Sequence, residues 1–190
     1  MGRCVLYKNK NITMPKIEKF KKITNKFIET GCYLGDGIQL AIDSGFEEIY
    51  SIEIMDKFVN ICKDRFKNSN LDINIIKGDS LSELPLLLRM YPNDGFTYWL
   101  DGHYSGSETG RGIKDFPIME EIECILSRGV SGEIIYVDDM RILKNYSDDI
   151  NINKILNLVK RYKNVYKTYY EDSRLHNGEF LKDDILVIEY

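Results

Sequence analysis

Five short apolar runs, each followed by a helical pattern, alternate along most of this chain, and that alternation constrains the fold more than any other feature. The strand-like runs are Lys26–Thr30, Glu48–Ile52, Ile73–Lys77, Thr97–Leu100 and Glu133–Val137. The helix-like runs are Gly37–Ser44, Met55–Lys67, Ser80–Met90, Phe116–Ser127 and Ile150–Tyr162. Strands that alternate with helices pair in parallel and are covered by helices on both faces. Two more strand-like runs, Val165–Glu171 and Asp184–Glu189, have no helix between them; the polar, Gly-containing stretch Asp172–Asp183 predicts an antiparallel pair. The expectation is an α/β, doubly wound, mostly parallel seven-stranded sheet with a C-terminal antiparallel hairpin strand. Residues 15–25 carry Ile17, Phe20 and Ile23 at helical spacing, which predicts that residues 1–25 form an N-terminal helical extension. Residues 1–190 read as a single domain.

Composition narrows the function classes. The 190 residues carry a formal net charge of −4 and no basic stripe, so no nucleic-acid partner is expected. Lys63-Asp64-Arg65 and Lys160–Lys163 read as solvated helix faces. The four cysteines contain no Cys-x-x-Cys pair and there are only two histidines, His103 and His176, which argues against a zinc site. Reduced, buried thiols are the simpler reading. No run approaches the length of a membrane span and no signal-peptide core is present, so a cytoplasmic protein without a membrane partner is expected.

The first strand ends in an acid and a glycine-rich turn: Glu29-Thr30-Gly31-Cys32-Tyr33-Leu34-Gly35-Asp36-Gly37. Glycine lets the backbone turn tightly and lets a ligand approach it, and the next helix offers free N–H groups and a positive dipole end. Glu53 follows Glu29 by 24 residues, at the end of the second strand, where an acid binds ribose hydroxyls. Asp79-Ser80 ends the third strand, on the adenine side, and Asp101 the fourth. In open parallel sheets ligands sit outside the carboxyl ends of the strands. The plain alternative is a strand–helix turn with acids serving as helix caps.

The dinucleotide pattern Gly-x-Gly-x-x-Gly is absent, because Tyr33 stands where its second glycine belongs. Glu29 would repel a pyrophosphate and suits a cation. S-adenosylmethionine, with a sulfonium, an amino group and no phosphate, is favoured over NAD. Glu29-Thr-Gly31-x-x-x-Gly35-x-Gly37, then Glu53, then Gly78-Asp79-Ser80, resembles the class I S-adenosylmethionine-dependent methyltransferases over nearly the whole chain. The resemblance implies a Rossmann-like fold. It also implies that Glu29, Thr30, Gly31, Gly35 and Gly37 hold the methionine part, Glu53 with Ile54 the ribose, Asp79 and Ser80 the adenine side, and Asp101 the sulfonium edge. Tyr33 departs from the family pattern, where glycine is common.

Strand four ends Asp101-Gly102-His103-Tyr104-Ser105-Gly106 and strand five ends Asp138-Asp139-Met140-Arg141. Base methylases usually carry Asn/Asp-Pro-Pro-Tyr at the first position, which this is not. The Asp-Gly and Asp-Asp ends are similar to macrocin-type sugar O-methyltransferases, and the longer string through Gly106 to small glycan O-methyltransferases such as the methyltransferase module of large-DNA-virus glycosyltransferases. That resemblance implies methyl transfer to a hydroxyl of a sugar or glycan acceptor, free, nucleotide-linked or in an oligosaccharide. Asp101, Asp138 and Asp139 would hold Mg2+ or Mn2+.

His103, Asp101 and Asp138 are the catalytic candidates. Histidine's ordinary pKa lies near neutrality, so His103 suits a general base; a metal ion would instead acidify the hydroxyl. Tyr104, Ser105, Arg111 and Arg141 are candidate acceptor contacts, with Lys114 beside Arg111. Trp99 and Phe96 read as core. With little chain to spare, the acceptor site must come from the N-terminal helix, the Ser105–Lys114 loop, the hairpin loop or a homodimer partner. The rival readings are an NAD-dependent oxidoreductase on the same sheet and a non-catalytic S-adenosylmethionine-binding module.

Overall fold

The computed structural model describes residues 13–15, 19–106, 109–146, 151–175 and 179–190. In chain order the elements are β1 (Thr13–Pro15), β2 (Lys26–Thr30), α1 (Asp36–Asp43), β3 (Glu48–Glu53), α2 (Asp56–Phe66), β4 (Asp72–Lys77) and α3 (Ser80–Met90). They continue with β5 (Thr97–Leu100), α4 (Ile118–Leu126), β6 (Ile134–Val137), α5 (Met140–Tyr146), α6 (Ile152–Tyr162), β7 (Lys167–Leu175) and β8 (Phe180–Glu189). One sheet runs β1-β7-β8-β6-β5-β2-β3-β4. The five strands from β6 to β4 are parallel, β8 runs antiparallel to β6, and β7 antiparallel to β8. All seven expected strands are present, and β1 adds a short eighth at the edge.

Alternation of side chains explains the layers. In β5 all four residues are buried, as expected of a central parallel strand covered on both faces. Tyr98 and Leu100 face one apolar layer with Leu84 of α3, Ile122 of α4, Leu143 of α5 and Ile155 of α6. Trp99 faces the other, with Ile38 of α1 and Phe58 and Cys62 of α2. Chain direction across the sheet reverses between β2 and β5, and that switch point is where a ligand crevice opens.

Among the described residues the expected helix over residues 15–25 is not seen, and residues 1–12 of the expected extension lie outside them. Residues 13–15 are strand, 16–18, with Ile17, lie outside the described residues, and 19–25 form bends. Tertiary bonds take the backbone: Phe20 N donates to Ser44 Oγ at 2.8 Å and Lys21 N to Tyr136 Oη at 3.0 Å. Phe20 is buried between Phe27, Trp99 and Tyr136, with ring centroids at 4.9, 5.3 and 5.1 Å, while Ile23 is 48% exposed. Phe20 thus does the covering that a helix was expected to do. Phe20→Ala should lower stability by about 3 kcal/mol and the melting temperature by roughly 10 °C; an unchanged melt would show that this side chain does not close the layer.

Among its described residues the Asp172–Asp183 stretch also carries more strand than expected. β7 extends to Leu175 and β8 begins at Phe180, with a register shift between Glu171 and Ser173. That shift and the positive φ of Asp183 (54°) interrupt the alternation that marks a strand. His176 lies outside the described residues, and among those described no helix is long and apolar enough to cross a membrane.

Candidate active site at the switch point

A cavity of about 430 Å³ opens over the carboxyl ends of β2, β3, β4, β5 and β6. Its floor is the turn after β2. Gly31 N donates to Ile52 O at 2.8 Å, and Gly31 has φ 84°. A Cβ there would stand 2.6 Å from the carbonyl oxygen of Asp101, so the close approach of β2 and β5 at the switch point requires glycine. Tyr33, the departure from the family pattern, adopts a left-handed φ of 44° itself. It turns its ring onto Phe58, with centroids 4.4 Å apart, and leaves its N–H free to bond Glu53.

Glu53 is clamped. Its Oε2 accepts from Tyr33 N at 3.1 Å and its Oε1 from Met55 N at 2.8 Å, so the carboxylate is fixed at the cavity wall. Asp79 caps α3: Oδ1 accepts from Leu81 N at 2.8 Å, and Oδ2 from Ile113 N at 2.5 Å. This second bond ties the β5–α4 loop to the end of β4. Gly112 packs so closely on Asp79, and Gly110 on Ile54, that neither has room for a Cβ. The sequence offered this loop as one of four sources of the acceptor site; the structure sets its glycines against the Ile54–Asp79 end. The run Gly110-Arg111-Gly112 was the available signal.

Glu29 does not line the cavity. It is 1% exposed beneath the turn, accepts from Ser51 Oγ at 2.5 Å, and sits so close to Gly37 that a Cβ there would collide with it. Burial pushes its carboxyl up to about 8, with Ser51 pulling it back and Glu53 and Asp36 adding to the rise. Thr30, Gly35 and Gly37 also shape the turn from behind. Gly31, Glu53, Ile54, Asp79, Ser80 and Asp101 do line the cavity.

At the other end of the same cavity stand His103, Tyr104, Ser105, Asp139 and Arg141. His103 is buried and stacked on Phe116, with centroids 5.7 Å apart and planes 10° apart. Its Nδ1 lies 3.5 Å from Asp101 Oδ1 and its Nε2 3.1 Å from Asp139 Oδ2, the latter off hydrogen-bonding geometry. Asp138 and Asp139 part company here. Asp138 is 1% exposed, is not in the cavity wall, and accepts from Asp139 N at 2.8 Å. Asp139 takes φ 57°, uncommon for a non-glycine residue, and this turn swings its carboxylate into the cavity. Burial, then the neighbouring acids Asp138 and Asp139, hold the Asp101 carboxyl well above its ordinary range; burial and Asp139 do the same to Asp138.

The Asp101–Asp138–Asp139 trio is divided between two groups, Asp101–His103–Asp139 and Asp138–Asp139–Asp184. Asp184 was missed by sequence reasoning. It lies on β8, and its Oδ1 accepts from Arg141 N at 3.1 Å while its Oδ2 meets Ser173 and the Arg141 guanidinium. Arg141 also reaches Asp139 Oδ1 at 2.5 Å. Arg111 lies outside the cavity wall, bonded to both oxygens of Asp115 at 2.7 Å and stacked over the Tyr104 ring. Lys114 lines the cavity and pairs with Glu120.

No protein-family model matches this chain, and no curated protein is significantly similar to it. Solved structures are. An O-methyltransferase from Bacillus cereus, in complex with S-adenosylhomocysteine, superposes with a TM-score of 0.61 at 13% identity, over 87% of this chain and 74% of that one. A Podospora anserina methyltransferase bound to S-adenosylhomocysteine gives 0.58 at 14%, over 87% and 71%. The O-methyltransferase TomG from Streptomyces achromogenes, in complex with S-adenosylmethionine, gives 0.58 at 14%, over 87% and 72%. This chain has their fold. At such identities the likeness establishes architecture, and the chemistry has to be argued from the cavity's own residues.

Proposed function

We propose that this chain is an S-adenosylmethionine-dependent O-methyltransferase that acts on a hydroxyl of a sugar or glycan. The observation that carries the reading is one continuous cavity. It joins a clamped ribose-type acid, Glu53, to a buried histidine between two aspartates. In this reading Glu53, with lone pairs left over from its two backbone bonds, accepts the ribose hydroxyls. Ile54 and Ser80 flank the base, and the turn at Gly31 holds the methionine part against Asp101. The fold shared with S-adenosylhomocysteine-bound methyltransferases supports this orientation.

Methyl transfer then needs an acceptor oxygen in line with the sulfonium. The oxygen forms a bond to the methyl carbon as the carbon–sulfur bond breaks, and the electron pair goes to sulfur. His103 takes the hydroxyl proton at a ring nitrogen, with Phe116 holding the ring's plane and Asp101 and Asp139 beside its two nitrogens. Arg141, Tyr104 and Ser105 border the space left for the acceptor. The donor set also fits a divalent ion such as Mg2+ or Mn2+: carboxylate oxygens of Asp101 and Asp139 and a nitrogen of His103 lie within 4.8 Å of one another, and His103 Nε2 is buried without a hydrogen bond. Bound there, such an ion would lower the pKa of the acceptor hydroxyl. Arg141 pairs with Asp139, and Phe116 stacks on the His103 ring.

Calorimetric titration with S-adenosylhomocysteine tests the central claim. Wild type should bind, and Glu53→Ala should weaken binding at least about tenfold, roughly 1.4 kcal/mol. Absence of binding by wild type overturns the reading. Methyl transfer to a sugar panel separates an enzyme from a binding module.

A further inference from the structure

Two thiols meet directly beneath the cofactor turn. Cys62 Sγ, on α2, lies 3.2 Å from Cys32 Sγ and 3.4 Å from Tyr33 O. Both cysteines are buried, at 0% and 2% exposure, and both are free. Cys32 stands between Gly31 and Tyr33, so its backbone belongs to the segment that holds Glu53 through the Tyr33 N–H. Its own carbonyl accepts from Gly35 N at 2.6 Å, and Gly35 leaves just the space that Cys62 Sγ and Phe66 occupy. Cys62 also borders a polar groove between α2 and β4, beside Lys63 and Lys67, away from the main cavity. Nothing in the methyl-transfer chemistry uses either thiol.

We propose that Cys32 and Cys62 form a reversible disulfide that ties the Gly31–Gly37 turn to α2 and weakens cofactor binding. A disulfide closes to about 2.05 Å, so the sulfurs must approach by roughly 1 Å. α2 is anchored in the core by Phe58 and Val59, whereas the turn carries left-handed backbone at Gly31, Tyr33 and Gly35. The turn is therefore the side that moves. Moving Tyr33 shifts the N–H that clamps Glu53. The step balances through thiol–disulfide exchange with a small-molecule disulfide, which reaches buried Cys62 from the groove only on local opening of the fold. Cys62 attacks it to give a mixed disulfide and one free thiol; Cys32 then attacks the Cys62 sulfur and releases the second. The pair loses two protons and two electrons, which leave as the two thiols. The Cys32 thiol is held well above its ordinary range, first by sharing its proton with the Cys62 sulfur and then by burial, so the exchange is slow. By linkage, bound cofactor disfavours the bridge by the same factor.

The effect on affinity rests on reading the turn as the cofactor turn; the disulfide itself does not. The full-length reduced chain is incubated with oxidised glutathione, alkylated, digested and mapped by mass. A Cys32–Cys62 peptide two hydrogens lighter is expected, with the dissociation constant for S-adenosylhomocysteine raised at least about tenfold and restored by dithiothreitol. Cys62→Ser, or Cys62→Ala should serine fold poorly, should show neither change. Free Cys32 and Cys62 after overnight exposure, or a bridge to Cys4 or Cys124 instead, overturns the proposal. So does a bridged protein whose affinity equals that of the reduced one. If reduced wild type binds no S-adenosylhomocysteine, the methyltransferase reading fails. The lock is then judged by hydrogen exchange at residues 31–37, which must slow at least about tenfold on bridging.

Discussion

His103→Ala is expected to lower methyl transfer by about 10²–10⁴-fold, the range over which a positioned general base acts. Affinity for S-adenosylhomocysteine should stay within about twofold, because the ring lies at the acceptor end of the cavity and not against Gly31 or Glu53. The proposed base is held chiefly by stacking. Phe116 holds the plane of the ring, Asp101 faces Nδ1, and Asp139 faces Nε2 while Arg141 holds Asp139. Asp139→Asn should therefore also reduce turnover, by a smaller factor, since the ring keeps Phe116 and Asp101. Asp138→Ala is a different experiment, because Asp138 bonds the Asp139 N–H from outside the cavity and acts through that turn. The measurement is S-adenosylhomocysteine release with a panel of free and nucleotide-linked sugars. Unchanged turnover in both His103→Ala and Asp139→Asn would remove the acceptor rim from the mechanism. His103→Asn controls for the buried space that alanine leaves behind Phe116.

What could be read from the sequence was whatever a single strand decides alone. Glu53, Asp79 and Asp101 each end an apolar run, and parallel pairing delivers all three to one rim, as the strand ends implied. What depends on partners distant in sequence was not legible. Nothing in Phe20 or Ile23 announces that Ser44 and Tyr136 will take the backbone N–H groups a helix would use. Asp138 and Asp139 are chemically identical neighbours, and only the positive φ of Asp139 decides which one enters the cavity. Asp184 comes to Asp138 and Asp139 because antiparallel pairing sets Leu186 beside Val137, a register no local pattern encodes. The residue read as the first contact of the ligand, Glu29, was recognised as part of the turn but proves to lie under it.

That position gives Glu29 a measurable signature in stability. Its carboxyl is raised to about 8 in the folded chain, chiefly by burial, from an ordinary value of 4.5. The folded state therefore prefers the protonated form. Its contribution is fully present below the unfolded value and is lost as pH rises through about 8. A rise of that size corresponds to at most about 5 kcal/mol, and local relaxation will reduce it. Ser51, Glu53, Asp36 and Arg65 are the groups that modulate it, and Arg65 is committed to Asp36 at 2.7 Å. Glu29→Gln keeps the shape and an acceptor for Ser51 but cannot ionise. The variant and wild type should melt together near pH 5. Near pH 8.5 the variant should be the more stable by on the order of 3 kcal/mol, or roughly 5–10 °C. Both proteins will also lose some stability over the same range, because buried Glu121, present in each, is raised in the same direction, to about 7. A cation in the cavity opposes the rise at Glu29, so S-adenosylmethionine should release protons on binding to wild type near pH 7 and fewer on binding to Glu29→Gln. Identical pH–melting curves for the two proteins would mean that Glu29 is solvated, and that the turn does not seal it as Gly37 and Ser51 indicate.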